Sequence, residues 1–205
     1  MADLPLELGG ELDERLGRCI DVEGKIPRAL EALGPVAGRD VLLLGRAGGL
    51  RDRQLTELGA RVSTTLTATG RQRHPPEPTS ADVVVALWDA FRGEAPEELA
   101  EAERVSRPGG RLLVVHDYGR DDVSRLRGDL PEYGAWGRRF GPFLGHGYRV
   151  RVIHCFWTFE TADDASAFLA DGFGDIGREV AATLRRPRLS YNVAVYHRDL
   201  AMAHP

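Results

Sequence analysis

The chain is poor in lysine and cysteine, and it has no long apolar run. One lysine, Lys25, stands against 26 arginines in 205 residues. Coding from a GC-rich genome produces such a bias, and so does thermal adaptation. The two cysteines, Cys19 and Cys155, share no metal or redox spacing, so both are expected as reduced, packed thiols. No stretch reaches the roughly eighteen apolar residues of a membrane-spanning helix. Residues 1–7 are acidic and lack the basic-then-apolar order of a secretory signal, which makes a cytoplasmic location the expectation. A basic excess is missing too. The formal net charge of −4 argues against nucleic acid as a general partner.

The hydrophobic content of 42% suffices for a core. Its pattern alternates. Leu12, Leu16, Ile20, Ile26 and Leu30 recur at helical spacing, with a break near Gly24–Pro27 and an end at Gly34-Pro35. This segment, residues 1–35, reads as a helical extension that can lid a site or form a homodimer interface. Residues 36–205 read as one α/β domain. Strands are expected at 40–45, 61–66, 82–87, 111–116, 148–159 and 190–197. Helices are expected at about 51–58, 96–105, 162–172 and 176–184, with a turn at Arg107-Pro108-Gly109-Gly110. Strands alternating with helices predict a mostly parallel sheet with helices on both faces, and the closely spaced last strands predict an antiparallel addition.

The most informative stretch is Asp40-Val41-Leu42-Leu43-Leu44-Gly45-Arg46-Ala47-Gly48-Gly49, a buried strand running into a glycine-rich turn and a helix. Glycine lets a ligand approach the backbone closely, and the following helix offers its N-terminus. A tight turn with no ligand explains the same residues equally well. Two further segments end at the same rim, where open α/β sheets bind ligands. Trp88-Asp89 can stack on a ring and bind an amine or hydroxyl, or can be a packed Trp followed by a helix cap. His116-Asp117-Tyr118 can supply a general base. Neighbours on a strand point to opposite faces, so at most one of His116 and Asp117 is expected to face a pocket. His146, His154 and Cys155 lack paired ligand spacing, and no metal is expected. Tyr133, Trp136, Phe140, Phe143, Phe156, Trp157 and Phe159 suit either an apolar pocket or core packing. Arg138-Arg139 and Arg185-Arg186-Pro187-Arg188 suit solvated surface or an acidic partner.

Three segments, in order, resemble class I S-adenosylmethionine-dependent methyltransferases. Val41–Gly49 is similar to that family's V-L-D-L-G-x-G-x-G, Ala81–Trp88 to its fourth strand, and Glu97–Val105 with Arg107-Pro108-Gly109-Gly110-Arg111-Leu112-Leu113-Val114-Val115 to its helix, L-K-P-G-G turn and fifth strand. The resemblance covers residues 36–198. It implies a Rossmann-like sheet, S-adenosylmethionine at Gly45, Arg46, Ala47, Gly49, Leu66 and Trp88, and methyl transfer to a small molecule with His116, Asp117 or Tyr118 as a base. The departures are specific. The acid near the end of the first strand falls on Leu43, the central glycine on Ala47, and the ribose-binding acid near Leu66-Thr67. Losing a charge-assisted anchor weakens binding by about tenfold to a hundredfold. Fifteen residues, 67–81, separate the second strand from the next. Extended, they reach roughly 50 Å, and a crossover needs about 30 Å. That leaves no room for the family's third strand and preceding helix, which are expected to be missing. The missing acids and the shortened crossover favour a second reading, a non-catalytic descendant that keeps the sheet for binding a protein partner or another ligand.

Overall fold

The structure is a computed structural model that describes residues 4–45, 47–65, 77–88, 96–128 and 130–200. The elements are α1 (Gly10–Cys19), α2 (Lys25–Leu33), β1 (Asp40–Leu44), α3 (Leu50–Glu57), β2 (Arg61–Thr65), β3 (Ala81–Leu87), α4 (Pro96–Val105), β4 (Ser106–Asp117), α5 (Asp122–Leu126), α6 (Pro131–Trp136), a 3-10 turn at Leu144–His146, β5 (Arg149–Thr158), α7 (Ala162–Thr183) and β6 (Arg188–Asp199).

Six strands form one sheet in the order β2-β1-β3-β4-β6-β5. The first four are mutually parallel, and β6 runs antiparallel between β4 and β5. The chain leaves β1 toward β2 and returns to its other side as β3, so the order reverses at β1. Ligands bind open α/β sheets at such a switch point. Among the described residues β2 is the free edge on its side, and no element falls between β2 and β3. Residues 67–76 of the short crossover lie outside the described residues.

Alternation along the buried strands divides the core into two layers. Val41, Leu43, Val83, Val85, Leu113 and Val115 face one side, where Leu16, Ile26, Leu30, Leu55 and Phe168 cover them. Leu42, Leu44, Val84, Ala86, Leu112 and Val114 face the other, against Ala102, Val105, Trp136 and Phe143. Helices thus cover both faces, and α1 and α2 share the first layer. Pro27 fits within α2 because it stands in the first turn, where the backbone N–H has no helical acceptor to lose. Gly174 (φ 60°, ψ −131°) breaks α7 between the two expected helices.

Arg107–Gly110 does not form a free turn. The segment belongs to β4, where Ala81 pairs with Ser106 and Val83 with Arg111, so these four residues bulge opposite Asp82. Gly109 has φ +77°, and a Cβ on Gly110 would sit 2.9 Å from the Arg107 carbonyl oxygen and 3.1 Å from that of Asp82. The two glycines are therefore a backbone requirement of the bulge.

Candidate active site

The ends of β1, β3 and β4 lie side by side on one rim. Leu44 is in register with Ala86, and Leu87 with Val115. The Gly45 N–H donates to the Thr65 carbonyl (3.0 Å), and the Trp88 N–H to that of Val115 (2.8 Å). Gly45, Trp88 and the end of β4 therefore lie along one rim. Arg46, Leu66 and Asp89 lie outside the described residues.

Gly48 has φ +70°, and a Cβ built there meets nothing within 4 Å of it. The turn is held by its own helix. The Asp52 carboxylate accepts from the Gly48 N–H at 2.7 Å, and Arg53 donates to the Gly48 carbonyl at 2.5 Å. Gly49 is the residue before α3 and gives no side-chain cap. Leu43 is fully buried in the core, and β2 runs to Thr65 without a carboxylate. Arg51, in the first turn of α3, is also buried. Its guanidinium carbon stands 5.0 Å from the Trp88 ring centroid, and its Nη1 donates to Gln54 Oε1 at 2.6 Å.

Asp117 is the hub of the opposite wall. Its Oδ1 accepts from Trp88 Nε1 (3.1 Å) and from the Tyr191 hydroxyl. Its Oδ2 accepts from Arg127 Nη1 and from the Tyr133 hydroxyl (3.3 Å). Four donors converge on one buried carboxylate. Burial works against the Arg127 charge, but the neighbouring Asp117 outweighs it and holds the guanidinium pKa above its usual value. Burial first, then Asp117, drives the Tyr133 and Tyr191 hydroxyl pKa values up. Both phenols are therefore fixed donors at neutral pH. Trp88 takes a left-handed backbone (φ 47°), strained for a bulky residue, as it turns its indole toward this hub.

The segment after β4 is fastened to β6. Asp121 and Ser124 form a capping box on α5, and Asp121 also accepts from the Asn192 N–H at 2.7 Å. Asp122 accepts from the N–H and hydroxyl of Ser190. Sequence reasoning missed Arg127, Tyr191 and Asn192 as parts of this wall. They join Asp117 or its loop only through the fold, and no local spacing marks them.

His116 lies on the other face of β4, buried against Trp136 (ring centroids 4.6 Å apart) and Phe143 (5.7 Å). Yet His116 and Asp117 both line a cavity of about 90 Å³, together with Trp88, Arg127, Tyr133 and Trp136. The expectation that one of the two at most faces a pocket fails here. The cavity opens over the tip of β4, where both faces of the strand are reachable. Pro5, buried in the N-terminal segment, closes part of it. Tyr118 is half-buried beside the second core layer, with its N–H on the Asn192 carbonyl (2.9 Å). Of the remaining aromatics, Phe143, Trp157 and Phe159 are core residues and Phe140 is exposed. His146, His154 and Cys155 do not meet. His146 bonds the Pro142 carbonyl, His154 bonds Asn192, and Cys155 is buried. Burial pushes the Cys19 thiol up to about 12 and raises that of Cys155 as well.

Two solved structures share this architecture. A proposed type II methyltransferase from Anaeromyxobacter dehalogenans aligns with a TM-score of 0.54 at 18% identity, covering 86% of this chain and 96% of the other. A SAM-dependent methyltransferase from Aquifex aeolicus aligns with a TM-score of 0.50 at 16% identity, covering 93% and 97%. The chain has the class I methyltransferase fold. No protein-family model and no curated protein matches it, so the likeness is one of fold. What the methyltransferase-like pattern lacks here is side-chain anchors, because Leu43 and the end of β2 offer no carboxylate.

Proposed function

We propose that this protein transfers a methyl group from S-adenosylmethionine to a small molecule. The observation that carries the reading is the shared rim, where the switch point of the sheet sets the Gly45–Gly49 turn beside Trp88 and the cavity at the tip of β4. The turn, with Gly45, Arg46, Ala47 and Gly49, would hold the cofactor through backbone groups. Trp88 would flank its ring, and Leu66, at the ribose-binding position of the sequence pattern, is the remaining residue of the implied set. When bound, S-adenosylmethionine supplies an electrophilic methyl on a sulfonium. The chain's own residues then need do little beyond orienting the acceptor and excluding water. Trp88, Tyr133 and Trp136 form the wall that does so. Asp117 and His116 line the cavity where an acceptor would sit, and Tyr118 follows them in sequence. The four donors on Asp117 suit it to holding that wall in place.

A second reading, a non-catalytic binding module for a protein or another ligand, is favoured by the Asp52 carboxylate on the Gly48 amide and by the absence of an acid at Leu43. Calorimetry with S-adenosylmethionine and S-adenosylhomocysteine separates the two. Saturable binding supports methyl transfer. A folded protein that binds neither up to millimolar concentration supports the binding module.

A further inference from the structure

The turn between α7 and β6 carries Arg185, Arg186 and Arg188, a basic cluster with no part in the methyl-transfer site. Backbone hydrogen bonds pin this turn. The Arg188 N–H donates to the Arg186 carbonyl (2.7 Å), and the Phe159 N–H donates to that of Pro187 (2.8 Å). Three like charges are thus held on one short, fixed stretch of backbone. They line a recess of about 310 Å³ together with Phe156, Val180 and Leu184. This recess shares no lining residue with the cavity at the tip of β4.

The other polar groups of the recess are engaged within the protein. Asp122 accepts from the Ser190 N–H (2.9 Å) and hydroxyl (2.6 Å) and pairs with Arg125 (3.3 Å). The Thr183 hydroxyl donates to the Val180 carbonyl at 2.8 Å. The Arg188 charge also reaches Glu23, which Lys25 pairs more closely at 2.5 Å. The Arg188 guanidinium carbon stands 4.3 Å from the Phe156 ring centroid. Such stacking uses the face of the guanidinium and leaves its N–H edge for an acceptor. Among the described residues, Arg185, Arg186 and Arg188 make no ion pair and donate no side-chain hydrogen bond. A position just after the C-terminus of α7 favours arginine at 185 and 186. It does not account for Arg188, which is stacked on a residue of β5.

Guanidinium forks match phosphoryl oxygens two at a time, and a dianion neutralises more of this charge than a carboxylate does. Val180 and Leu184, half-buried at the edge of the first core layer, add apolar surface beside the charges. The volume falls at the lower end of the roughly 300–1,000 Å³ of small-molecule sites. We propose that the recess at the α7–β6 turn binds a small organic monophosphate, with its phosphoryl group on Arg185, Arg186 and Arg188 and its apolar body against Val180 and Leu184. This site stands whether or not S-adenosylmethionine binds at the rim.

The test is isothermal titration of the full chain with phenyl phosphate at constant ionic strength, with inorganic phosphate and benzyl alcohol as probes of the two halves of the ligand. One saturable site is expected for phenyl phosphate, with inorganic phosphate about tenfold weaker and benzyl alcohol silent. Arg188→Gln should weaken phenyl phosphate by about tenfold. The double variant Arg185→Gln with Arg186→Gln, at exposed positions, should weaken it by a similar factor while the unfolding midpoint stays that of wild type. It serves alone if Arg188→Gln fails to fold. Equal affinity for phenyl and inorganic phosphate, no saturation by millimolar phenyl phosphate, or unchanged affinity in the variants overturns the proposal.

Discussion

The two ends of the sheet use charge in opposite ways. At the N-terminal edge, Asp40 bridges Arg61 (2.6 Å) and Arg107 (2.8 Å), and Asp82 also meets Arg107 (2.9 Å), all at partly exposed positions. At the C-terminal rim, Asp117 buries one carboxylate under Trp88, Arg127, Tyr133 and Tyr191. Exposed networks are screened and contribute little each. A buried charge that loses its partner is left without water to replace it, so the same chemistry carries far larger stakes there. The rim that would hold a ligand is thus the end where the fold concentrates its most demanding polar contacts.

Breaking the buried end should give the largest effect. Asp117→Ala leaves the Arg127 charge and two phenols without their acceptor. It should destabilise the protein by about 3–5 kcal/mol, read as a shift in the urea midpoint with unchanged slope. A loss below about 1 kcal/mol would mean that water reaches the hub freely.

At the other end the backbone, not the charge, should matter most. Gly110→Ala places a methyl against two carbonyl oxygens of the bulge and should cost about 1–3 kcal/mol. The contrast with Gly48→Ala sharpens the point. There a Cβ meets nothing within 4 Å, so the penalty comes from φ +70° alone and should be about 1 kcal/mol.

The exposed network should show itself mainly through pH. Hydrogen bonds from Arg61, then Arg107, hold the Asp40 carboxyl down at about 2, below its usual 3.8. A carboxylate with a depressed folded pKa contributes stability that is present above pH 3.8 and is lost as pH falls through about 2. Asp40→Asn should therefore remove that contribution at pH 7, flatten the acid limb of the stability profile between those values, and change little below about pH 2. Asp121 behaves with the opposite sign. Burial raises its pKa despite the Ser124 and Asn192 amides, so its ionisation opposes folding as pH rises through the folded value. In Asp121→Asn that slope should vanish from the same titration.

Much of this contrast was legible in the sequence on one side only. Val41–Gly49 marked the switch point because a buried strand, a glycine turn and a helix are local features. Pro96–Val105 read as a helix and is one. The Arg107–Gly110 signal predicts a turn because glycine and proline report backbone bending, not whether strand pairing continues past the bend. The wall around Asp117 left no such trace. Its partners Arg127, Tyr133 and Tyr191 stand 10, 16 and 74 residues away. Only the placement of β6 beside β4 brings Tyr191 to it. Alternation misjudged His116 and Asp117 for a related reason, since the rule holds along a strand and not at its tip.

Methyl transfer requires that the Gly45–Gly49 turn accept S-adenosylmethionine despite the carboxylates the pattern lacks at Leu43 and at the end of β2. Isothermal titration of the wild-type protein with S-adenosylhomocysteine tests it most directly. One saturable site is predicted, with a dissociation constant of about 0.1 mM, reflecting the absent anchors. No heat of binding up to millimolar ligand, from a protein with a cooperative unfolding transition, would contradict it.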